Sequence, residues 1–199
     1  MKQQVLVIHG GTTFSSYKNY IDSMKSVVLE LDKLKYRLDW KSSITADLGE
    51  DYEVLVPRMP NTTNAKYSEW SIWFEKIIPL LKNNMILVGH SLGGIFLAKY
   101  LSENEMPKKI RATVLVAAPY EELESEELAS FSLPKSLSRF NDQVKKILLI
   151  QSKDDVVVPL DHVYKYQNDL PNSKVILLDD MGHFKQEHFP ELVALIKNL

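Results

Sequence analysis

Residues 87–96 read LVGHSLGGIF. Within them, Gly89-His90-Ser91-Leu92-Gly93 has the form G-x-S-x-G. The apolar run Met85–Val88 precedes it, and the helix-like segment Leu92–Leu101 follows. That context gives the motif chemical meaning, because a strand that turns abruptly into a helix holds a serine hydroxyl above a sheet. In so tight a turn the residues two before and two after the serine nearly touch neighbouring backbone, so both must be glycine. The hydroxyl then lies at a helix N-terminus, where partial positive charge favours developing negative charge. A phosphate loop also uses a glycine-rich strand-to-helix turn, but needs Lys-Ser or Lys-Thr after its last glycine. Here Gly94 is followed by Ile95 and Phe96. The chemistry that fits is nucleophilic attack by Ser91.

A serine hydroxyl is a weak nucleophile until a base takes its proton. In a strand-turn-helix arrangement of this kind the chain order is Ser, then acid, then His, each after a later strand. Of the five histidines only His183 and His188 follow the last strand-like run, Val175–Leu178. His183 lies in the loop Asp179-Asp180-Met181-Gly182-His183-Phe184, where Gly182 lets the backbone turn. His188 falls at the start of the closing helix, so His183 is preferred. The acid should follow the run Ile147–Ile150, and Asp155 is preferred to Asp154, which suits a turn former. Pro159, a little further on, fits a helix's first turn. The carboxylate would hold the imidazole tautomer and stabilise the imidazolium that forms. Oxyanion donors are expected from the Leu92 amide and from His9-Gly10-Gly11-Thr12, with Gly11 preferred to Thr12. His9 itself reads as a structural hydrogen bond for that loop. Six of the seven glycines (10, 11, 89, 93, 94 and 182) fall in these three loops, a stronger signal than any one motif.

These loops need a frame. Val5–Ile8, Val54–Val56, Met85–Val88, Thr113–Ala117, Ile147–Ile150 and Val175–Leu178 are short apolar runs. Most are continuous, as expected for strands covered on both faces. Helix-length segments separate them, which predicts βαβ units: an α/β three-layer sandwich around a six-stranded parallel sheet. Trp70, Trp73, Phe74, Ile77, Ile78 and Leu81 form a core stripe at helical spacing. Val163, Tyr166 and Leu170 give a weaker one, and Leu192, Val193, Leu195 and Ile196 mark the closing helix. Residues 12–51 form a long connection, predicted to hold one helix around Tyr17–Leu34 and another around Trp40–Leu48, stopped by Gly49. The other long connection, 118–142, carries Glu121, Glu122, Glu124, Glu126 and Glu127, which read as a solvated face or loop. No linker-like tract divides the chain, so 1–199 reads as one domain with a small helical insertion at 15–34.

With 45% hydrophobic residues, 25% charged residues and net charge -2, the chain is ordinary for a soluble globular protein. The weak acidity gives no case for nucleic acid or anionic membrane as partner. The absence of cysteine excludes disulfides, thiolate nucleophiles and Cys-ligated metals. No signal-peptide pattern and no stretch near the ~18 apolar residues of a membrane span is found, which predicts a cytoplasmic location. No H-E-x-x-H or comparable cluster suggests a metal.

The residues resemble the α/β-hydrolase superfamily, and within it the small serine hydrolases of the retinoblastoma-binding-protein-9 type. The matching stretches are His9-Gly10-Gly11, Met59-Pro60-Asn61, Trp70 with Trp73 and Phe74, Gly89 to Gly94, Ala117-Ala118-Pro119, Asp154 to Pro159 and Gly182-His183-Phe184. The resemblance implies cofactor-free esterase-like activity on a small acyl substrate, with Ser91, Asp155 and His183 as triad. It also implies sheet order 2-1-3-4-5-6, since the first two strands of larger members are missing. Residues 15–34 look like an addition that partly covers the site. Asn61, Tyr67, Trp40 and Phe184 are weighed as pocket lining, though packing suits each better. The expected state is a monomer or small homo-oligomer. The competing expectation is a hydrolase fold retained as a protein-interaction module.

Overall fold

A computed structural model of the chain describes residues 2–123 and 127–199. Strands β1 (Gln3–Ile8), β2 (Tyr52–Leu55), β3 (Met85–His90), β4 (Ile110–Val116), β5 (Ile147–Ser152) and β6 (Ser173–Leu178) form one sheet. Its order is β2-β1-β3-β4-β5-β6, and every neighbouring pair is parallel. The second strand starts two residues earlier and ends one earlier than its apolar run suggests, because Gln3 pairs with Tyr52 while Val56 precedes Pro57 and is exposed.

Alternation along each strand divides the core in two. Leu6 and Ile8 of β1 face one layer, with Trp70 and Phe74 of α4 (Tyr67–Ile77), Phe96 of α5 (Leu92–Glu103), Phe140 of α6 (Ser138–Gln143) and Tyr166 of α7 (Asp161–Asp169). Val5 and Val7 face the other, with Trp40, Ile44 and Leu48 of α3 (Trp40–Leu48) and Leu192 and Ile196 of α8 (Pro190–Lys197). Two-sided burial explains the continuous apolar runs of the inner strands. The edge strands β2 and β6 are mostly half-buried instead.

Two expectations are corrected. The helix expected over residues 17–34 is two pieces, α1 (Tyr17–Ser26) and α2 (Leu31–Leu34), with Val27 extended between them. No residue of α1 is buried, and Val27, Val28, Leu29, Leu31 and Leu34 are exposed. With nothing to pack against, β-branched Val27 and Val28 do not continue the helix. In the α4 stripe, Trp70 and Phe74 are buried but Trp73 is 43% exposed, and the helix tightens at Ile78–Leu80 around Pro79. The described glutamates of the acidic connection lie in a loop, as expected, and their carboxylates also make contacts: Glu122 accepts from the Leu128 amide, Glu127 from Asn19, and Glu121 pairs with Lys165. Glu124 and Glu126 lie outside the described residues. Among the described residues, no helix is long and apolar enough to cross a membrane.

Candidate active site

The sharp turn follows from the sequence between β3 and α5. Ser91 has φ 53° and ψ -122°, a left-handed conformation that a non-glycine residue holds only when its surroundings enforce it. Its amide donates to the Val116 carbonyl (2.9 Å), and its own carbonyl accepts from the Gly94 amide (2.8 Å). A Cβ on Gly89 would lie 2.5 Å from the Gly93 carbonyl oxygen, and one on Gly93 would lie 2.5 Å from that of His9. Glycine at these two positions is therefore a matter of space. Gly182 differs, since nothing lies near its missing side chain and its φ of +50° is what requires glycine.

Side chains from three loops meet above the C-terminal ends of the strands. His183 Nε2 lies 3.0 Å from Ser91 Oγ, and His183 Nδ1 lies 2.9 Å from Asp155 Oδ2. The Asp155 side chain has no solvent exposure and that of His183 has 10%. Asp155 Oδ1 accepts from the amides of Val157 (2.8 Å) and Val158 (3.1 Å), which fixes the carboxylate's orientation. Asp154 points the other way: its Oδ1 accepts from the Gly182 amide (3.0 Å) and from Ser152 Oγ, which itself accepts from the Met181 amide (3.1 Å). More than a turn former, Asp154 clamps the loop that carries His183. The far side of that loop is held by Trp40, whose Nε1 donates to the Phe184 carbonyl (3.0 Å) and whose amide donates to that of Gln186 (2.8 Å). His188 lies apart, exposed and paired with Asp47 at 3.0 Å.

His9 holds the loop after β1. Its Nδ1 donates to the Gly10 carbonyl (2.6 Å) and its Nε2 accepts from the Met59 amide (2.9 Å), so the ring is a neutral Nδ1–H tautomer. The Thr12 amide is committed to the Thr62 carbonyl (2.8 Å), which leaves Gly11 the better placed donor of the two. A cavity of about 930 Å³ opens over Ser91 and His183, lined by Gly10, Gly11 and Asn61 among others. Trp40 and Phe184 are core residues with no exposure, and Tyr67 gives its hydroxyl to Glu103, so none of these three lines the cavity. Nor do the described residues of 15–34. The cavity wall comes from the segment just after them, which includes Arg37, Leu38, Asp39 and Lys41. These residues went unnoticed because no charge run or motif marks them.

Residues 36–194 match the serine hydrolase family. This protein belongs to that family. It is 27% identical to the serine hydrolase RBBP9 of Rattus norvegicus over 154 residues, 74% of this chain and 78% of that one. Among solved structures, the ydeN gene product of B. subtilis superposes with a TM-score of 0.71 at 18% identity, covering 99% of this chain and 98% of that one. The 2-hydroxy-6-oxo-6-phenylhexa-2,4-dienoate hydrolase of Rhodococcus sp. strain RHA1 does so with 0.66 at 14% identity, covering 98% and 89%. The fold is that of the α/β hydrolases, and the six-stranded sheet has the order implied by the resemblance.

In this serine hydrolase the elbow histidine also supports the site. His90 Nε2 donates to the His183 carbonyl (3.1 Å), and its ring packs edge-on to Trp40 with centroids 6.0 Å apart. Its Nδ1 is buried with no hydrogen-bond partner among the described residues, so the ring is neutral. Burial holds its pKa well below the ordinary imidazole value, and nearby Lys41 adds to the effect. Burial also lowers His9 and His162. In the unfolded chain each of these takes up a proton below about pH 6.5. The unfolded state then binds more protons, so stability is full above about pH 6.5 and falls as pH drops below it, by at most ~1.4 kcal/mol per pH unit for each histidine. Exposed His188, raised by Asp47, acts in the opposite sense, and its small contribution is lost as pH rises through its folded value. Thermal unfolding should therefore shift to lower temperature between about pH 6.5 and 5, and His90→Gln should flatten that decline. An unchanged slope in the variant would contradict this role for His90.

Proposed function

We propose that this protein hydrolyses carboxylic esters or related acyl compounds through an acyl-enzyme, without a cofactor. The observation that carries the proposal is the unbroken chain from Ser91 Oγ through His183 to Asp155, at 3.0 and 2.9 Å. Ser91 Oγ bonds to the acyl carbon while its proton passes to His183 Nε2. Asp155 keeps the Nδ1–H tautomer and stabilises the imidazolium. The carbonyl oxygen becomes an oxyanion, which the amides of Leu92 and Gly11 receive. When the tetrahedral centre collapses, the bond to the leaving oxygen breaks and that oxygen takes the proton from His183. Water repeats the sequence in the second half, giving its proton to His183 and its oxygen to the acid product, and Ser91 regains its proton.

A fluorophosphonate probe tests the reading. Wild-type protein is expected to label covalently at Ser91, and Ser91→Ala is expected to stay unlabelled. Absence of labelling in folded wild-type protein would overturn the enzymatic reading in favour of an interaction module.

A further inference from the structure

The wall of the cavity over Ser91 is cationic out of proportion to the rest of the protein. The chain as a whole has 24 Lys and Arg against 26 Asp and Glu. The cavity is lined by Arg37, Lys41, Arg58 and Lys185 but by a single carboxylate, Asp39. That carboxylate is already engaged, since Lys41 Nζ lies 2.8 Å from Asp39 Oδ2 and the lysine side chain is only 13% exposed. Arg37, Arg58 and Lys185 are exposed and have no carboxylate partner among the described residues. The three cations come from separate loops. Arg37 precedes α3, Arg58 precedes Met59, whose amide is tied to His9, and Lys185 lies two residues past His183. Charges of one sign converging on a low-dielectric cleft focus their field into it and raise the local concentration of the opposite sign. Guanidinium groups in particular match the planar, two-oxygen geometry of carboxylate and the oxygens of phosphate.

We propose that the substrate of this protein is an anionic ester, one whose acyl or alcohol part carries a carboxylate or phosphate held by Arg37, Arg58 and Lys185 while Ser91 attacks the ester carbonyl. The assignment rests on Ser91 acting as nucleophile. It deepens that reading by naming the substrate class. The net charge of -2 conceals it, because four cations against one acid at the cavity are averaged over 24 basic and 26 acidic residues in the whole chain.

The test compares esters of matched reactivity that differ in charge. On the acyl side these are mono-p-nitrophenyl adipate and p-nitrophenyl hexanoate. On the alcohol side they are the butyrate esters of 4-hydroxyphenylacetate and of its methyl ester. In at least one pair, kcat/KM for the anionic member is expected to exceed that of the neutral one by about tenfold or more. Raising NaCl from about 0.05 to about 0.5 M should shrink that preference, since exposed charges are screened. The double variant Arg58→Gln, Lys185→Gln should bring the ratio to within about threefold of unity, losing the charge-assisted contacts. Lys145→Gln, at an exposed site just before β5, should leave the ratio as it is. Neutral esters cleaved as well as anionic ones in both pairs, by protein that labels at Ser91, would overturn the anionic assignment and leave the hydrolase reading standing. Protein that neither labels nor cleaves any of the four would overturn both.

Discussion

Ser91→Ala is expected to lower kcat for p-nitrophenyl acetate by about 10⁴-fold or more, and His183→Ala by a comparable factor. The size follows from the geometry. His183 Nε2 is 3.0 Å from Ser91 Oγ, and in the folded chain the ring has Asp155 on its other nitrogen. Removing the hydroxyl leaves the imidazole nothing to activate except water. Removing the imidazole leaves a hydroxyl that attacks only as its weakly nucleophilic neutral form. The two groups work as one unit, so the double variant should lose little more than either single one. That non-additivity distinguishes a shared proton path from two separate contributions to packing, whose effects would add. Kinetics of the two single variants and the double variant decide the matter. Wild-type-like turnover by either single variant, or losses that multiply in the double, would contradict the assigned roles.

The parts of this site that could be read in the sequence are those in which local chemistry dictates residue type. Ser91 is flanked by glycines because a Cβ at 89 or 93 would run into backbone, and that constraint leaves a mark in the text. The meeting of Ser91, Asp155 and His183 was legible for a related reason: in a parallel sheet, every loop that follows a strand emerges at the same end. The inner strands were legible because burial on both faces removes polar residues from them. Other features leave no local mark. Residues 17–34 carry apolar side chains at helix-compatible spacing, but a pattern does not say whether a partner surface exists, and here Val28 and Leu31 find none. Trp73 sits three residues after Trp70, close enough in angle to join the stripe by spacing, yet α4 is covered on a narrower face than that. Asp154 looked like a turn former because its partners, Gly182 directly and Met181 through Ser152, lie more than 25 residues away. The cationic rim is invisible for the same reason, since Arg37, Arg58 and Lys185 come to line one cavity only when three loops fold together.

Gly93→Ala should be, with Gly89→Ala, among the most damaging glycine-to-alanine changes in this fold. The new carbon would strike the Ile8 carbonyl oxygen and lie 2.5 Å from that of His9. Neither oxygen belongs to a flexible side chain. Ile8 ends β1, which is paired with β2 on one side and β3 on the other, and Val5 to Ile8 have no exposure. The obstacle is therefore held by β3 at Ile8 and by β2 earlier in the strand, and relief requires moving either this inner strand or the start of α5. Overpacking of this kind costs ~1–3 kcal/mol where side chains can yield, and a clash with backbone belongs at the upper end or beyond. For a chain of this size ~3 kcal/mol corresponds to a fall in melting temperature of roughly 6–12 °C. Activity should fall further than stability alone accounts for, because the displaced backbone leads directly into Gly10 and Gly11, the loop proposed to supply an oxyanion amide. Gly182→Ala and Gly49→Ala calibrate the result: both positions have open space, so each costs backbone strain alone, ~1–2 kcal/mol at Gly182 with φ +50° and ~1–3 kcal/mol at Gly49, whose φ 84° and ψ -170° are essentially confined to glycine. If Gly93→Ala is too damaged to isolate while both controls are soluble, the ordering holds. A Gly93→Ala protein that melts within about 2 °C of wild type would show that the elbow has room the structure denies it.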